Sequence, residues 1–291
     1  MARRLQGGDV EVVGYDYDTA AMATLEQDCG LIPAASVAEV VAALPAPRVV
    51  WMLLPAGEIT ESSISELAAL LAPGDVLVDG GNANFHDSMR RGATLAERSI
   101  DFVDAGVSGG VWGLQEGYAL MVGASPAAIE QLRPVLEVLA PAPDRGWMHT
   151  GPIGSGHYVK MVHNGIEYGM MQAYAEGFAL MQSREDFGLD LAEIAETWRH
   201  GSVVRSWLLD LTADFLSTDQ TLSDTAPFVS DSGEGRWTAI EAIEQGIPTP
   251  VMSTAIMARF SSQGKQDYVS RLLAKMRQAF GGHALKAAAK S

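Results

Sequence analysis

Residues 151–170 read Gly151-Pro-Ile-Gly-Ser-Gly-His-Tyr-Val-Lys160-Met-Val-His163-Asn164-Gly-Ile-Glu167-Tyr168-Gly-Met170. Two patterns of the chain meet here. Upstream, short runs rich in valine and leucine alternate with helical segments. The expected strands are Val10–Tyr15, Val49–Leu54, Val76–Asp79, Phe102–Ala105 and Ala119–Val122. The expected helices are Thr19–Asp28, Ile59–Leu71, Asp87–Ser99 and Pro126–Leu139. Strands separated by helices of that length predict a parallel, doubly wound sheet. Downstream the pattern changes, and 155–183, 190–200, 203–215, 236–245, 250–262 and 266–278 all read as helices.

A doubly wound nucleotide-binding domain opens with a strand, a Gly-x-Gly-x-x-Gly turn and a helix whose N-terminus holds the pyrophosphate. Here Met1–Leu5 reads as the back end of that helix, Gly7-Gly8 as its stop, and Val10–Tyr15 as the second strand. The fold class is therefore an α/β Rossmann-like N-terminal domain, with the first strand and glycine loop missing, followed by an all-α C-terminal domain. The domains are 1–152 and 153–291. Both a longer protein in which Met1 is internal and a shortened gene fit this layout. Loss of a central strand is expected to leave an apolar slot between its neighbours. Asp16, at the end of the second strand, either caps the next turn or bonds the ribose hydroxyls of NAD and repels the extra phosphate of NADP. The layout as a whole favours the ribose role.

Composition narrows the function classes. Of 291 residues 47% are apolar and 19% charged, which excludes a disordered chain. The formal net charge of -16 argues against nucleic acid or an anionic membrane as partner. Cys29 is the only cysteine, so neither a disulfide framework nor a thiolate metal site is expected. No apolar run approaches about 18 residues and no signal-peptide core follows Met1, so a cytoplasmic protein is expected.

The chemistry concentrates in residues 151–170. At about 100° per residue, Lys160, His163, Asn164, Glu167 and Tyr168 fall on one helix face, with Met161, Val162, Ile166 and Met170 around the rest. The ordinary reading of a charged stripe is a solvated face. Against it, Lys160 is the only lysine before Lys265, in a chain that otherwise uses arginine. Arginine does not deprotonate near neutrality, whereas a desolvated lysine does, which points to a general base. Asp79-Gly-Gly-Asn82 and Gly106-Val-Ser-Gly-Gly110 follow strands, where an open sheet takes its ligands, although either also reads as a plain glycine turn. Arg236, Arg259, Arg277 and His283 come late, where scattered arginines are ordinarily surface residues.

Together these motifs resemble the signatures of the 6-phosphogluconate dehydrogenase family. Asp79–Asn82, Gly106–Gly110, Lys160–Gly169, Gly235-Arg-Trp-Thr238, Ala258-Arg-Phe-Ser261 and Arg277-Gln-Ala-Phe-Gly-Gly-His283 carry the resemblance in order along the whole chain. The length resembles the short members of the family. The resemblance implies oxidative decarboxylation of 6-phospho-D-gluconate to D-ribulose 5-phosphate and CO2, in the pentose phosphate pathway or gluconate metabolism. It makes Lys160 the general base and acid, and Glu167 the second acid. Asn82, Ser108, Gly109, Gly110, His163, Asn164 and Tyr168 would contact the sugar acid. Arg259 and Arg277 would hold its phosphate with His283 nearby, and Arg236 stands where many members have lysine. Arg277 and His283 would come from a neighbouring subunit, which implies a homodimer or homotetramer. Leu54-Pro55-Ala56 and Asn82 would line the cofactor. Asp16-Tyr17-Asp18 departs from the Asn-Arg-Thr type of NADP-dependent members, so NAD is favoured over NADP. No metal is implied. The competing readings are a β-hydroxyacid dehydrogenase of the hydroxyisobutyrate type, which lacks the His-Asn-Gly-Ile-Glu-Tyr run, and a folded remnant without catalysis.

Overall fold

The structure, a computed structural model, describes residues 1–281 and Ala284. The chain divides into two compact units, Met1–His163 and Asn164–Ser291. The first unit opens with helix α1 (Ala2–Gly7), which stops at Gly8 as its glycines predict. It continues through β1 (Val13–Gly14), α2 (Thr19–Cys29), β2 (Ile32–Pro33), α3 (Val37–Ala43), β3 (Val49–Met52), α4 (Glu58–Leu70) and β4 (Val76–Asp79). Then follow α5 (Phe85–Ala96), β5 (Asp101–Ser108), the short α6 (Gly113–Glu116), β6 (Ala119–Gly123), α7 (Pro126–Leu139) and β7 (Trp147–Gly151). Helix α8 (Ser155–Gln182) carries the chain across the division. The second unit adds α9 (Leu191–Arg199), α10 (Trp207–Thr218), α11 (Glu234–Glu244), α12 (Pro250–Ser262) and α13 (Asp267–Gly281). Its described residues form no strand.

Local chemistry sets most helix starts. Asp18, Ser36, Asn84, Ser125, Asp190 and Ser206 each accept a bond from a first-turn backbone N–H. Each such cap stabilises its helix by about 1 kcal/mol. Ser206 also explains why α10 begins later than the apolar run from residue 203 predicts: the cap interrupts that run.

Strands β3 to β7 form one sheet in sequence order, and β1 pairs with β2 in a separate two-stranded sheet. Side chains alternate across the larger sheet. Val76, Val78, Val103 and Ala105 face Ala128, Leu132, Leu136 and Leu139 of α7, with Met1 and Leu5 of α1 packed alongside. Leu77 and Phe102 face Ile64 and Leu67 of α4 and Leu95 of α5. Both faces are buried, which is why these strands read as continuous apolar runs.

The expectation of an all-parallel sheet is corrected at one pair. Strands β5 and β6 run antiparallel, with Asp104 opposite Gly123 and Ser108 opposite Ala119. The Gly109–Tyr118 connection holds only short helical turns, too little chain for the crossover that a parallel pair needs. Strand β5 also extends to Ser108, so Gly106 lies within a strand rather than in the turn after it. Strands β2 and β7 were not legible, being two residues long and rich in polar groups respectively.

Among the described residues no helix is long and apolar enough to cross a membrane. In the second unit, Phe178, Leu191, Ala195, Leu209, Ala213 and Leu216 join α8, α9 and α10 in one core. Tyr168, Ala255 and Ile256 join α8 to α12 in another.

Candidate active site

Glycines seat α8 on the sheet. A Cβ on Gly106 would collide with the Cβ of Lys160, and one on Gly156 would collide with the backbone of Asp104 and Met121. The helix therefore approaches β5 and β6 at backbone distance. Its N-terminus is held by the buried Asp104, whose Oδ1 accepts from Gly154 N at 2.6 Å and whose Oδ2 accepts from His157 N at 2.8 Å. A carboxylate at a helix N-terminus also meets the favourable end of the helix dipole.

Much of the polar stripe of α8 is buried, while part of its apolar surface, though not Met161, is exposed. Lys160, Asn164 and Tyr168 are under 10% exposed, whereas Ile166 is 52% exposed and Met170 39%. An ordinary amphipathic helix would expose its polar stripe instead. His163 and Glu167, half-buried, continue the same face. Burying an amine and an amide is costly unless they meet polar partners or a ligand.

In the first unit the expected ligand residues lie at the C-terminal ends of parallel strands. Asp16 is exposed after β1, and its Oδ1 accepts from Asp18 N at 2.9 Å, so it shapes the turn that Asp18 then caps. Leu54-Pro55-Ala56 follows β3, with Pro55 O accepting from Thr60 Oγ at 2.7 Å. Asn82 is exposed after β4, and Gly81 passes so close to Leu54 O that no Cβ fits there. Ser108 ends β5 and is followed by Gly109 and Gly110, both with positive φ. Asp16 thus follows a strand of the smaller sheet, and Leu54–Ala56 and Asn82 follow neighbouring strands of the larger one, at the kind of strand end where open α/β folds take ligands.

In the second unit Tyr168 is the centre of a cluster. The Arg259 guanidinium lies 3.4 Å from its ring centroid, and Arg259 also donates to Ser230 O at 2.9 Å. The Tyr168 hydroxyl is 3.3 Å from Ser232 Oγ, which donates to Glu234 at 2.6 Å. Arg236 is held by Asp231 at 2.6 Å, so an anion approaching Arg236 competes with that carboxylate. Gly235 packs so closely on the Tyr168 ring that a side chain there would displace it. Arg277 is exposed on α13. His283 lies outside the described residues.

A buried polar network beneath this site was missed at the sequence level. Arg91 pairs with Asp79 and Glu61, each at 2.8 Å, and Arg91 and Asp79 are both almost fully buried. Hydrogen bonding to Arg90, then to Arg91, holds Glu61 below the usual carboxylate range. Burial pushes the Asp79 carboxyl up against the pull of Arg91. His157 Nδ1 lies 2.7 Å from Ser88 Oγ. Burial pushes the His157 imidazole down more than Asp104 raises it, and burial raises Asp104. Two signals were available: Asp104 interrupts an apolar strand, and His157 extends the Lys160 face by one turn.

The fold and site define a dinucleotide-binding domain followed by a helical domain, joined by a helix with a buried lysine. The family model for the NAD binding domain of 6-phosphogluconate dehydrogenase matches residues 1–151. The model for the 6-phosphogluconate dehydrogenase C-terminal domain matches residues 156–289. An NAD(+)-dependent, decarboxylating 6-phosphogluconate dehydrogenase of Haloferax volcanii is 41% identical over 274 residues, covering 94% of this chain and 90% of that protein. A solved Plasmodium falciparum 6-phosphogluconate dehydrogenase superposes with a TM-score of 0.82 at 28% identity, over all of this chain and 64% of that one. The chain belongs to the 6-phosphogluconate dehydrogenase family. A Mycobacterium tuberculosis 3-hydroxyisobutyrate dehydrogenase shares the fold, with a TM-score of 0.70 at 24% identity over 91% of this chain and 89% of that one.

Proposed function

We propose that the chain is an NAD-preferring, decarboxylating 6-phosphogluconate dehydrogenase of the cytoplasm, converting 6-phospho-D-gluconate to D-ribulose 5-phosphate and CO2. The observation that carries this reading is the buried polar face of α8, with Lys160 and Asn164 inside and Ile166 outside. The name of the Haloferax relative supports NAD, as do Asp16 and Asp18, whose charges oppose a 2′-phosphate.

Asp16 would hold the ribose, and Leu54–Ala56 with Asn82 the nicotinamide end. NAD, when bound, supplies the hydride acceptor. Lys160 takes the proton of the substrate 3-hydroxyl. The ammonium so formed then stabilises negative charge on the 3-carbonyl oxygen while CO2 departs. Glu167, two turns along the same face, delivers a proton to C1 of the enediol. Asn82, Ser108, Gly109, Gly110, His163 and Asn164 orient the carboxylate and hydroxyls. Tyr168, Arg236 and Arg259 take the phosphate, joined by Arg277 and His283 of a neighbouring subunit. A homodimer or homotetramer is supported by the exposed Val251 and Met257 of α12 and the exposed Tyr268, Val269, Leu272 and Leu273 of α13.

The test is formation of NADH and CO2 from 6-phosphogluconate, compared with NADP and with unphosphorylated hydroxyisobutyrate. Turnover that requires the substrate phosphate and prefers NAD supports the reading. Equal turnover of hydroxyisobutyrate would overturn it.

A further inference from the structure

Two loops assigned above to the cofactor are tied to one buried guanidinium that the mechanism does not use. Arg91, on α5, is 2% exposed. One edge of its fork, Nε and Nη2, donates to Glu61 Oε1 at 3.1 and 2.8 Å. On the other edge Nη1 donates to Asp79 Oδ2 at 2.8 Å. The second oxygen of Asp79 accepts from Gly81 N at 3.1 Å. An unbroken line of hydrogen bonds thus runs from α4, through α5, to the turn that leads into Asn82.

Both ends of the line hold the loops in question. Glu61 follows Thr60, whose hydroxyl donates to Pro55 O at 2.7 Å, so the first turn of α4 grips the Leu54–Ala56 loop. At the other end Gly81 abuts Leu54 O so closely that no Cβ fits between them, and Gly80 N donates to Met52 O at 2.9 Å. The loops after β3 and β4 therefore meet directly and are joined a second time through Arg91.

Stability alone explains this arrangement poorly. A buried ion pair is often matched or bettered by apolar side chains of the same volume. What apolar side chains would not supply is direction: the guanidinium is planar and its donors are fixed, so the two carboxylates it meets are held in a set orientation. Arg90 supplies the contrast. It binds the same Glu61 oxygen at 2.6 Å, but it is exposed and its other partner is Asp87, not Asp79.

We propose that Arg91 is a positioning residue for the cofactor: by holding Glu61 and Asp79 together it keeps the Leu54–Ala56 loop and the turn before Asn82 in fixed register. This rests on the reading that Leu54–Ala56 and Asn82 line the nicotinamide end.

Three variants of the full chain separate positioning from bulk stability. Arg91→Lys keeps the buried cation but replaces the fork with a single ammonium. Well below its melting temperature, its kcat/KM for NAD should fall about tenfold to a hundredfold. Hydrogen exchange at the Gly81 amide, which needs no turnover, should quicken about tenfold or more. Glu61→Ala cuts the line at its half-buried end, outside the core, and should lower kcat/KM for NAD about threefold to tenfold. Arg90→Ala takes the neighbouring arginine from the same carboxylate and should leave both readouts within about twofold of wild type. A lowered melting temperature in Arg91→Lys with both readouts unchanged would mean that Arg91 only stabilises, and overturns the proposal. Equal losses in Arg91→Lys and Arg90→Ala would overturn it too. A wild-type chain inert towards 6-phosphogluconate would sink the dehydrogenase reading alone, since exchange at Gly81 across the variants would still decide whether Arg91 holds the turn.

Discussion

At the scale of single residues, burial separates the groups that do chemistry from those that hold the frame. Lys160 is a buried amine on a helix that leaves Ile166 and Met170 exposed, and its proposed role demands that it lose a proton. Lys160→Arg keeps the charge and nearly the volume but cannot serve as a base near neutrality. Its kcat with 6-phosphogluconate should fall about a hundredfold to ten-thousandfold, with the thermal midpoint nearly unchanged. Asp75 belongs to the frame. Burial alone would raise its carboxyl, but Ala72 N and Arg48 N and the Arg48 guanidinium outweigh that and hold it below the usual range. A carboxyl depressed by folding stabilises the protein above its unfolded pKa, and that contribution vanishes as pH falls through the folded value. Asp75→Asn should therefore cost about 2–3 kcal/mol near neutrality and progressively less in acid. Denaturant unfolding of both proteins across pH checks this, and a gap that widens in acid would contradict it.

Among elements, the seat of α8 on β5 is the contact that places the base. Gly106 on the strand and Gly156 on the helix let the backbones meet, and Asp104 ties down the helix start. Gly106→Ala would drive a methyl group into Lys160 and lift the helix. A loss of about 1–3 kcal/mol in stability is expected. The larger effect should be on kcat, since small misplacements of a catalytic group are expensive. Thermal melting beside steady-state kinetics tests this, and a variant with lowered melting but unchanged kcat would show that the seat does not position Lys160. The antiparallel β5–β6 pair belongs to this scale too. It turns the chain back after Ser108 and so leaves Gly109 and Gly110 at the strand end beside the site, where a crossover helix would otherwise begin.

For the molecule as a whole, the proposed site draws Arg277 from a second copy. Lys160→Ala and Arg277→Ala chains, each inactive alone, should regain about a quarter of wild-type activity when refolded together, since each hybrid dimer holds one intact site. No gain on mixing would mean that one chain supplies every group.

Much of this was legible without coordinates. The α/β pattern giving way to helices near residue 151, the stop of α1 at Gly7-Gly8, and the span of α7 all follow from local periodicity and capping, which act over a few residues. The lysine stripe was legible for the same reason, since helix geometry alone places Lys160, Asn164 and Tyr168 on one face. The strand direction at β6, the two-residue β2 and the role of Gly106 were not. Each depends on a partner far away in the chain: Gly123 for Asp104, Gly14 for Pro33, Lys160 for Gly106. The same holds for the Asp79–Arg91–Glu61 ion pairs and for His157 with Ser88. Periodicity determined which residues share a face of one element. Only the tertiary structure decided which of those faces are buried and against what, because burial and pairing are properties of contacts between distant segments.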